Sequence, residues 1–366
     1  MISVYEPYIP LASKRFVDDA IKTGWISSKG SYINKCEKFL SDYLGVKHVI
    51  LMANGTCANS VLNAYISNLM NGTMLVPNNV YVAAWNTIDF SKFKLLPVDA
   101  SPITWNVNLK ALDDAMFSNP VDVILVVHNL GNIVDVPALQ RKYPNKVIIE
   151  DACEGLFGKY DSTNTNVGSA AFGASLSFYA NKIITAGEGG AVVTNNDYLA
   201  EFARKYIGQG QSNKRFIHDT IGFNYRMTNI QAAMLYGQLM ELDSILSAKK
   251  AVFDNYDYLI KTLDTNRVVP QRKNSTPANW MYGIRVINGD YDTAEKFFAS
   301  KGIEIRPMFY PMSFHTHLKF MANPEQELVA KILSEECIIL PSHPQLSFSE
   351  QEIIIDTLEQ YYDSIQ

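Results

Sequence analysis

Cysteine is scarce in this chain: Cys36, Cys57, Cys153 and Cys337 lie far apart and form no C-x-x-C pair. That spacing fits reduced thiols, the habit of cytoplasmic proteins, better than a disulfide framework. Runs of Lys or Arg are missing too, and the net charge of −5 argues against general nucleic-acid binding, which leaves a basic footprint. The longest apolar stretch, Val121 to Val127, is strand-sized and carries Asp122. It falls far short of the ~20 residues that span a bilayer. Met1 to Tyr8 has neither the basic nor the apolar region of a secretory leader. No H-E-x-x-H accompanies His315, His317 and His343, so no metal is expected. Gly208-Gln209-Gly210 lacks the third glycine of a dinucleotide fingerprint. The expectation is a soluble cytoplasmic protein without metal, membrane or nucleic-acid partner.

What is present reads as an α/β fold. At 366 residues the chain exceeds the size at which one core usually suffices. Strands are expected at 46–52, 73–76, 94–98, 121–127 and 146–150, separated by helices at 55–70, 81–90, 109–117 and 136–142. Strands that are apolar throughout and alternate with helices indicate a mainly parallel sheet covered on both faces. Residues 228–263 contain no proline and keep helical apolar spacing at Leu242, Ile245, Leu246, Phe253, Tyr256, Ile260 and Leu263. One long helix is expected there, or two broken near 247–250. A strand at 280–287, a helix at 293–300, a strand at 303–305 and a further strand–helix pair follow. The boundary is placed at 248, giving a large domain 1–248 and a smaller α/β domain 249–366.

Three local patterns carry chemistry. The strand Val147-Ile-Ile-Glu150-Asp151 delivers two acids to the carboxyl edge of a parallel sheet, where ligands of open α/β sheets bind. Asp151 also reads as a plain turn cap. Lys182 follows a short strand containing Ser177 and precedes Gly187-Glu188-Gly189-Gly190. A lysine among apolar strands is costly unless its charge is removed or used, and an imine with an aldehyde removes it. A snorkelling lysine at a strand end explains the same pattern. At Asn54-Gly55-Thr56-Cys57 a strand turns into a helix, whose free N–H groups and positive end suit a phosphate; simple capping by Asn54 or Thr56 is the alternative. Aldehyde, ring acid and phosphate partners together describe pyridoxal 5'-phosphate (PLP).

On these residues the sequence resembles the DegT/DnrJ-type nucleotide-sugar aminotransferases of the fold-type I PLP scaffold, over almost its whole length. The resemblance lies in Gly24-Trp-Ile-Ser-Ser-Lys-Gly30, Asn54-Gly-Thr56, Glu150-Asp-Ala-Cys-Glu154, Ser177-Phe-Tyr-Ala-Asn-Lys182, Gly187-Glu-Gly-Gly190, Gly222 to Asn229 with Ala232-Ala233, and Leu340-Pro-Ser-His-Pro344.

The resemblance implies that Lys182 forms the Schiff base and moves the proton, while Asp151 pairs with the pyridinium nitrogen. Glu154 lies near the phenolic oxygen. Gly55, Thr56, the backbone of Cys57 and Ser177 hold the phosphate. Tyr81 stacks on the ring, and Asn224 reaches the phosphate of the neighbouring subunit in a homodimer with shared active sites. The motif wording is similar to perosamine and viosamine synthases, implying transfer from L-glutamate to C4 of a nucleotide-linked 4-keto-6-deoxyhexose. Trp25 and Arg306 are the expected substrate contacts, Arg306 because a diphosphate suits a guanidinium fork.

Cys57 stands where the family usually has Ala. His128-Asn-Leu-Gly131 departs from the usual His-Leu-Tyr-Gly, and Asn78-Asn79 is atypical before Tyr81. Four alternatives accompany this reading: a C3-acting sugar aminotransferase, a sugar dehydratase of the same family, an amino-acid aminotransferase, and a PLP-binding regulatory protein without turnover. Dehydratases of the family carry histidine in place of the lysine, so Lys182 speaks against that one.

Overall fold

The computed structural model describes residues 1–365. Two helices, α1 (Leu11–Thr23) and α2 (Ser31–Leu44), precede an alternation of β1 (His48–Met52), α3 (Gly55–Leu69), β2 (Gly72–Pro77), α4 (Ala83–Asn86), β3 (Phe93–Val98), α5 (Leu109–Ser118), β4 (Val123–Val127), α6 (Val136–Lys142) and β5 (Val147–Asp151). Then come β6 (Gly173–Ser177), β7 (Gly190–Thr194), α7 (Asp197–Tyr206), α8 (Asn229–Met240) and α9 (Leu242–Leu259). The remainder is β8 (Val268–Pro270), β9 (Tyr282–Val286), α10 (Tyr291–Ser300), β10 (Arg306–Pro307), α11 (Leu328–Glu336), β11 (Cys337–Leu340) and α12 (Phe348–Ser364).

Seven strands form the main sheet in the order β1-β7-β6-β5-β4-β2-β3. Only β7 runs against its neighbours; β2, β3, β4, β5 and β6 pair in parallel. Strands β4, β6 and β7 are buried at every residue, as a sheet covered on both faces requires. Because β7 is reversed, its first residue Gly190 lies beside both Met52 and Ser177, the last residues of β1 and β6. The same sheet edge therefore gathers the ends of β1, β5 and β6 and the loop that enters β7. Side chains that start the helices are legible: Asn54, Asn108 and Asn196 each accept one or two N–H groups of the turn they open.

A second sheet, β10-β11-β9-β8, is antiparallel. Helix α9 runs from one core to the other: Leu242 and Ile245 pack in the first, Val252, Phe253 and Tyr256 in the second.

Three expected elements differ from those observed. The helix of 81–90 is only α4, because Asp89 turns its carboxylate onto the Ser91 N–H and hydroxyl and closes the segment locally. The break in 228–263 falls at Glu241, with φ −113 and ψ 19, rather than at 247–250. No proline or glycine marks it, and the Glu241 carboxylate accepts from Tyr8 Oη at 3.3 Å. Ile303 makes a single bridge to Ile2, and the strand proper is Arg306–Pro307.

Candidate active site

Strand β5 ends in Asp151, nearly sealed from solvent. Its Oδ2 accepts from Asn59 Nδ2 at 2.7 Å and its Oδ1 from the Cys153 N–H at 3.1 Å. Asn59, on α3, is itself held by the Ser175 hydroxyl at 2.6 Å. Two donors fix the carboxylate and leave lone pairs on each oxygen for a further partner.

Lys182 lies in the turn after β6. That turn is tied from two directions: Tyr5 Oη donates to the Lys182 carbonyl at 2.9 Å, and Trp280 Nε1 donates to the Asn181 carbonyl at 2.7 Å. Lys182 Nζ sits over the Trp280 ring, 3.8 Å from its centroid. Cys153, Glu154, Ser177, Lys182 and Trp280 line one small cavity. Glu154 is buried there and accepts from the Leu130 N–H at 2.8 Å. Burial pushes its carboxyl up to about 7, against the opposing pull of Lys182. A carboxyl so poised can give or take a proton near neutrality.

Beside this cluster, Asn54 caps α3 by accepting from the Cys57 N–H at 2.8 Å. The Cys57 N–H is thus engaged, and the Ala58 N–H returns to the Asn54 carbonyl. The N–H groups of Gly55 and Thr56 remain to meet an anion at the helix start. A methyl group added at Gly55 would lie 3.0 Å from Ser177 Cβ and Cys153 Sγ, and one at Gly190 would lie 2.4 Å from the Asn54 carbonyl group. Backbone therefore approaches backbone here as only glycine permits. An aldehyde, a ring nitrogen and a phosphate each have a suitable partner, so the residues present fit PLP.

The remaining expected residues are placed as follows. Tyr81 follows the carboxyl end of β2, is exposed, and leans on Phe309 with ring centroids 6.1 Å apart. Asn224 is exposed in the segment that pairs with Gly208. Trp25 exposes its ring while its carbonyl holds Asn229 Nδ2. Arg306 is half exposed and pairs with Glu304 at 3.6 Å. None of these four touches the Lys182 cluster through a hydrogen bond or ion pair among the described residues.

The segment that departs from the family pattern has an internal role. His128 and Asn129 are fully buried. Asn129 Nδ2 donates to the carbonyls of Asn79 and Trp105. The Leu130 N–H of that segment donates to Glu154, and Gly131 lies close against the backbone of Glu154 and Trp280. Sequence reasoning overlooked Asn59 and Trp280. Asn59 lies five residues past Asn54 on the same helix, a usable signal; Trp280 comes from the second half of the chain and carried none.

Comparison with known proteins bears on this arrangement. A model of the DegT/DnrJ/EryC1/StrS aminotransferase family matches residues 10–359. The chain belongs to this family. It is 34% identical over 367 residues to the GDP-perosamine synthase of Caulobacter vibrioides, covering 98% of each chain. Its fold is similar to that of Helicobacter pylori PseC, an aminotransferase involved in pseudoaminic acid biosynthesis, with a TM-score of 0.87, 23% identity and 99% of each chain covered. It is similar to the E coli GDP-4-keto-6-deoxy-D-mannose-3-dehydratase as well, with a TM-score of 0.89, 16% identity, and 98% and 99% of the two chains covered. The scaffold is thus shared by a transferase and a dehydratase, and the fold alone does not choose between those reactions.

Proposed function

We propose that this PLP-dependent sugar aminotransferase moves an amino group from L-glutamate to C4 of a nucleotide-linked 4-keto-6-deoxyhexose, giving a perosamine- or viosamine-type 4-amino sugar. The class follows from the family and from full-length similarity to a GDP-perosamine synthase. The observation that carries the reading is the cavity that Lys182 lines together with Glu154 and Ser177, with Asp151 at the end of the neighbouring strand, paired with Ser175. A lysine at this position supports transfer over dehydration.

When bound, PLP supplies an aldehyde to carry the amino group and a ring that accepts electrons as the donor loses its α-proton. The residues of the chain do the rest. Lys182, once released, is the general base at the donor α-carbon, a role worth ~10²–10⁴-fold. Asp151, steadied by Asn59, keeps a proton on the ring nitrogen. Glu154 holds or releases a proton at the phenolic oxygen. Gly55, Thr56, the Cys57 backbone and Ser177 frame the phosphate, although the bond from Asn54 leaves Cys57 the least able of these to contribute. Tyr81 covers the ring. Asn224, exposed on its own subunit, suits a reach to the phosphate of a partner in a homodimer with shared sites. Trp25 and Arg306 are assigned to the sugar nucleotide. We read 1–248 as the cofactor-binding domain and 249–366 as the small one, and the cytoplasm as its compartment. Among the described residues no helix is long and apolar enough to cross a membrane.

Adding glutamate to the PLP-loaded protein is expected to convert the visible cofactor band to the pyridoxamine form, and a nucleotide 4-keto-6-deoxyhexose is expected to restore it. NMR of the product is expected to place the amine at C4. Restoration by keto acids alone, or an amine at C3, contradicts the assignment.

A further inference from the structure

Lys249, on α9, is buried to 1% exposure, and its amine meets carbonyls rather than a carboxylate among the described residues. Its Nζ donates to the Trp280 carbonyl at 2.9 Å and to the Ser342 carbonyl, and it lies 5.2 Å from the Tyr5 ring centroid and 5.3 Å from that of Phe253. Burial holds its pKa well below the usual lysine range. Methionine would fill the same space without the cost of desolvating an amine. The value of lysine here lies in what its donors hold.

They hold the wall behind Lys182. Trp280 is grasped at its carbonyl by Lys249 and at its indole N–H by Asn181, and its ring face lies under Lys182 Nζ. Tyr5, the other residue tying down the Lys182 turn, packs against Lys249. Three segments remote in sequence, around residues 5, 280 and 342, meet on one buried amine.

We propose that Trp280 is the berth of the Lys182 amine whenever that amine is not bonded to the cofactor, and that Lys249 is the positioning residue that keeps the indole in place. The proposal rests on Lys182 being the cofactor-bearing lysine. A ring face attracts an ammonium without fixing any of its N–H bonds, so the berth holds it near the cavity; once its proton has passed to solvent, the neutral amine attacks the aldehyde carbon and water leaves as the imine forms. Without it, the four-carbon stem samples many rotamers, and productive encounters become rarer.

The test uses cofactor-free protein and follows the rate at which added PLP is captured as the visible lysine-bound form. Affinity for pyridoxamine phosphate, which has no aldehyde to capture, serves as the control. Trp280→Leu is expected to slow capture by roughly 3- to 30-fold, the range of a cation–ring contact, a larger fold-change than its loss of pyridoxamine phosphate affinity. Trp280→Phe, which keeps a ring face, is expected to capture faster than Trp280→Leu. Lys249→Met is expected to slow capture as well, and the double variant Lys249→Met/Trp280→Leu to be no slower than Trp280→Leu alone, because the two act as one unit. Native capture rates in Trp280→Leu, or equal rates in the Phe and Leu variants, overturn the berth. Multiplying effects in the double variant overturn the link to Lys249, and should Lys249→Met not fold, the Phe and Leu pair still decides. Lys182→Ala separates this from the parent reading: a persisting visible band there defeats the assignment of Lys182 itself.

Discussion

Glu150 and Asp151 are neighbours on one strand, and the alternation of a strand sends their side chains to opposite faces of the sheet. Glu150 meets a closed polar group. The Val134 N–H donates to His128 Nδ1 at 3.1 Å, so the proton of that ring is on Nε2, which donates to Glu150 at 2.5 Å. Tyr160 Oη donates to the same carboxylate at 2.8 Å and accepts from the Gly168 N–H. His128, Glu150 and Tyr160 are all within 1% of full burial. Asp151, by contrast, is held by Asn59 and the Cys153 N–H at the carboxyl edge of the sheet, beside the residues that line the cavity, and is not fully sealed. Identical charge and adjacent positions yield one acid consumed by structure and one available for chemistry. What separates them is the face each one meets: Glu150 is sealed among His128 and Tyr160 at 0% exposure, whereas Asp151, with as many donors, keeps 7% exposure at the sheet edge.

That contrast is open to direct challenge. Asp151→Asn is expected to lower kcat/KM by about 10²–10⁴-fold, while chemical denaturation shows a smaller loss of stability than any change at Glu150. Removing the Glu150 carboxylate should do the reverse. Glu150→Ala strands the His128 and Tyr160 donors in the interior and is expected to cost ~3–5 kcal/mol in urea unfolding. Equal stability losses at the two positions would erase the distinction.

A third substitution sharpens the comparison through pH. Glu154, with its carboxyl raised from 4.5 to about 7, binds its proton more tightly folded than unfolded. Its stabilisation is whole below about 4.5 and is lost as the pH rises to about 7. Glu154→Gln in the cofactor-free protein is therefore expected to gain on the native chain between pH 5 and pH 8, by up to about 3 kcal/mol. Parallel stability curves for the two proteins would count against a raised carboxyl.

Much of the sheet was legible because each buried strand announces itself as a short apolar run bounded by Asn, Pro or Gly, as with Val123–Val127 and Val147–Asp151. The cluster around Lys182 was legible where its parts are local, as in the Asn54-Gly55-Thr56 turn. Three features were not. The break at Glu241 has no breaker residue, since the side chain that marks it bonds to Tyr8 over two hundred positions away. The face that Trp280 turns to Lys182 and the donors that Lys249 offers to Trp280 both depend on how the two sheets meet, which no local pattern encodes. The atypical Asn79 and Asn129 looked unrelated in sequence, yet one bonds to the other in a buried knot beside the Glu154 loop.

The central claim is that Lys182 is the lysine that bears the cofactor, and the chain offers a second buried lysine, Lys249, bonded to the main-chain carbonyl of the same tryptophan. Loading the protein with PLP, reducing it with borohydride and mapping the modified peptide by mass spectrometry decides between them. The account predicts the pyridoxyl mass on the peptide containing Lys182 and none on that containing Lys249. Modification of Lys249, or a reduced protein with no covalently held cofactor, would contradict it.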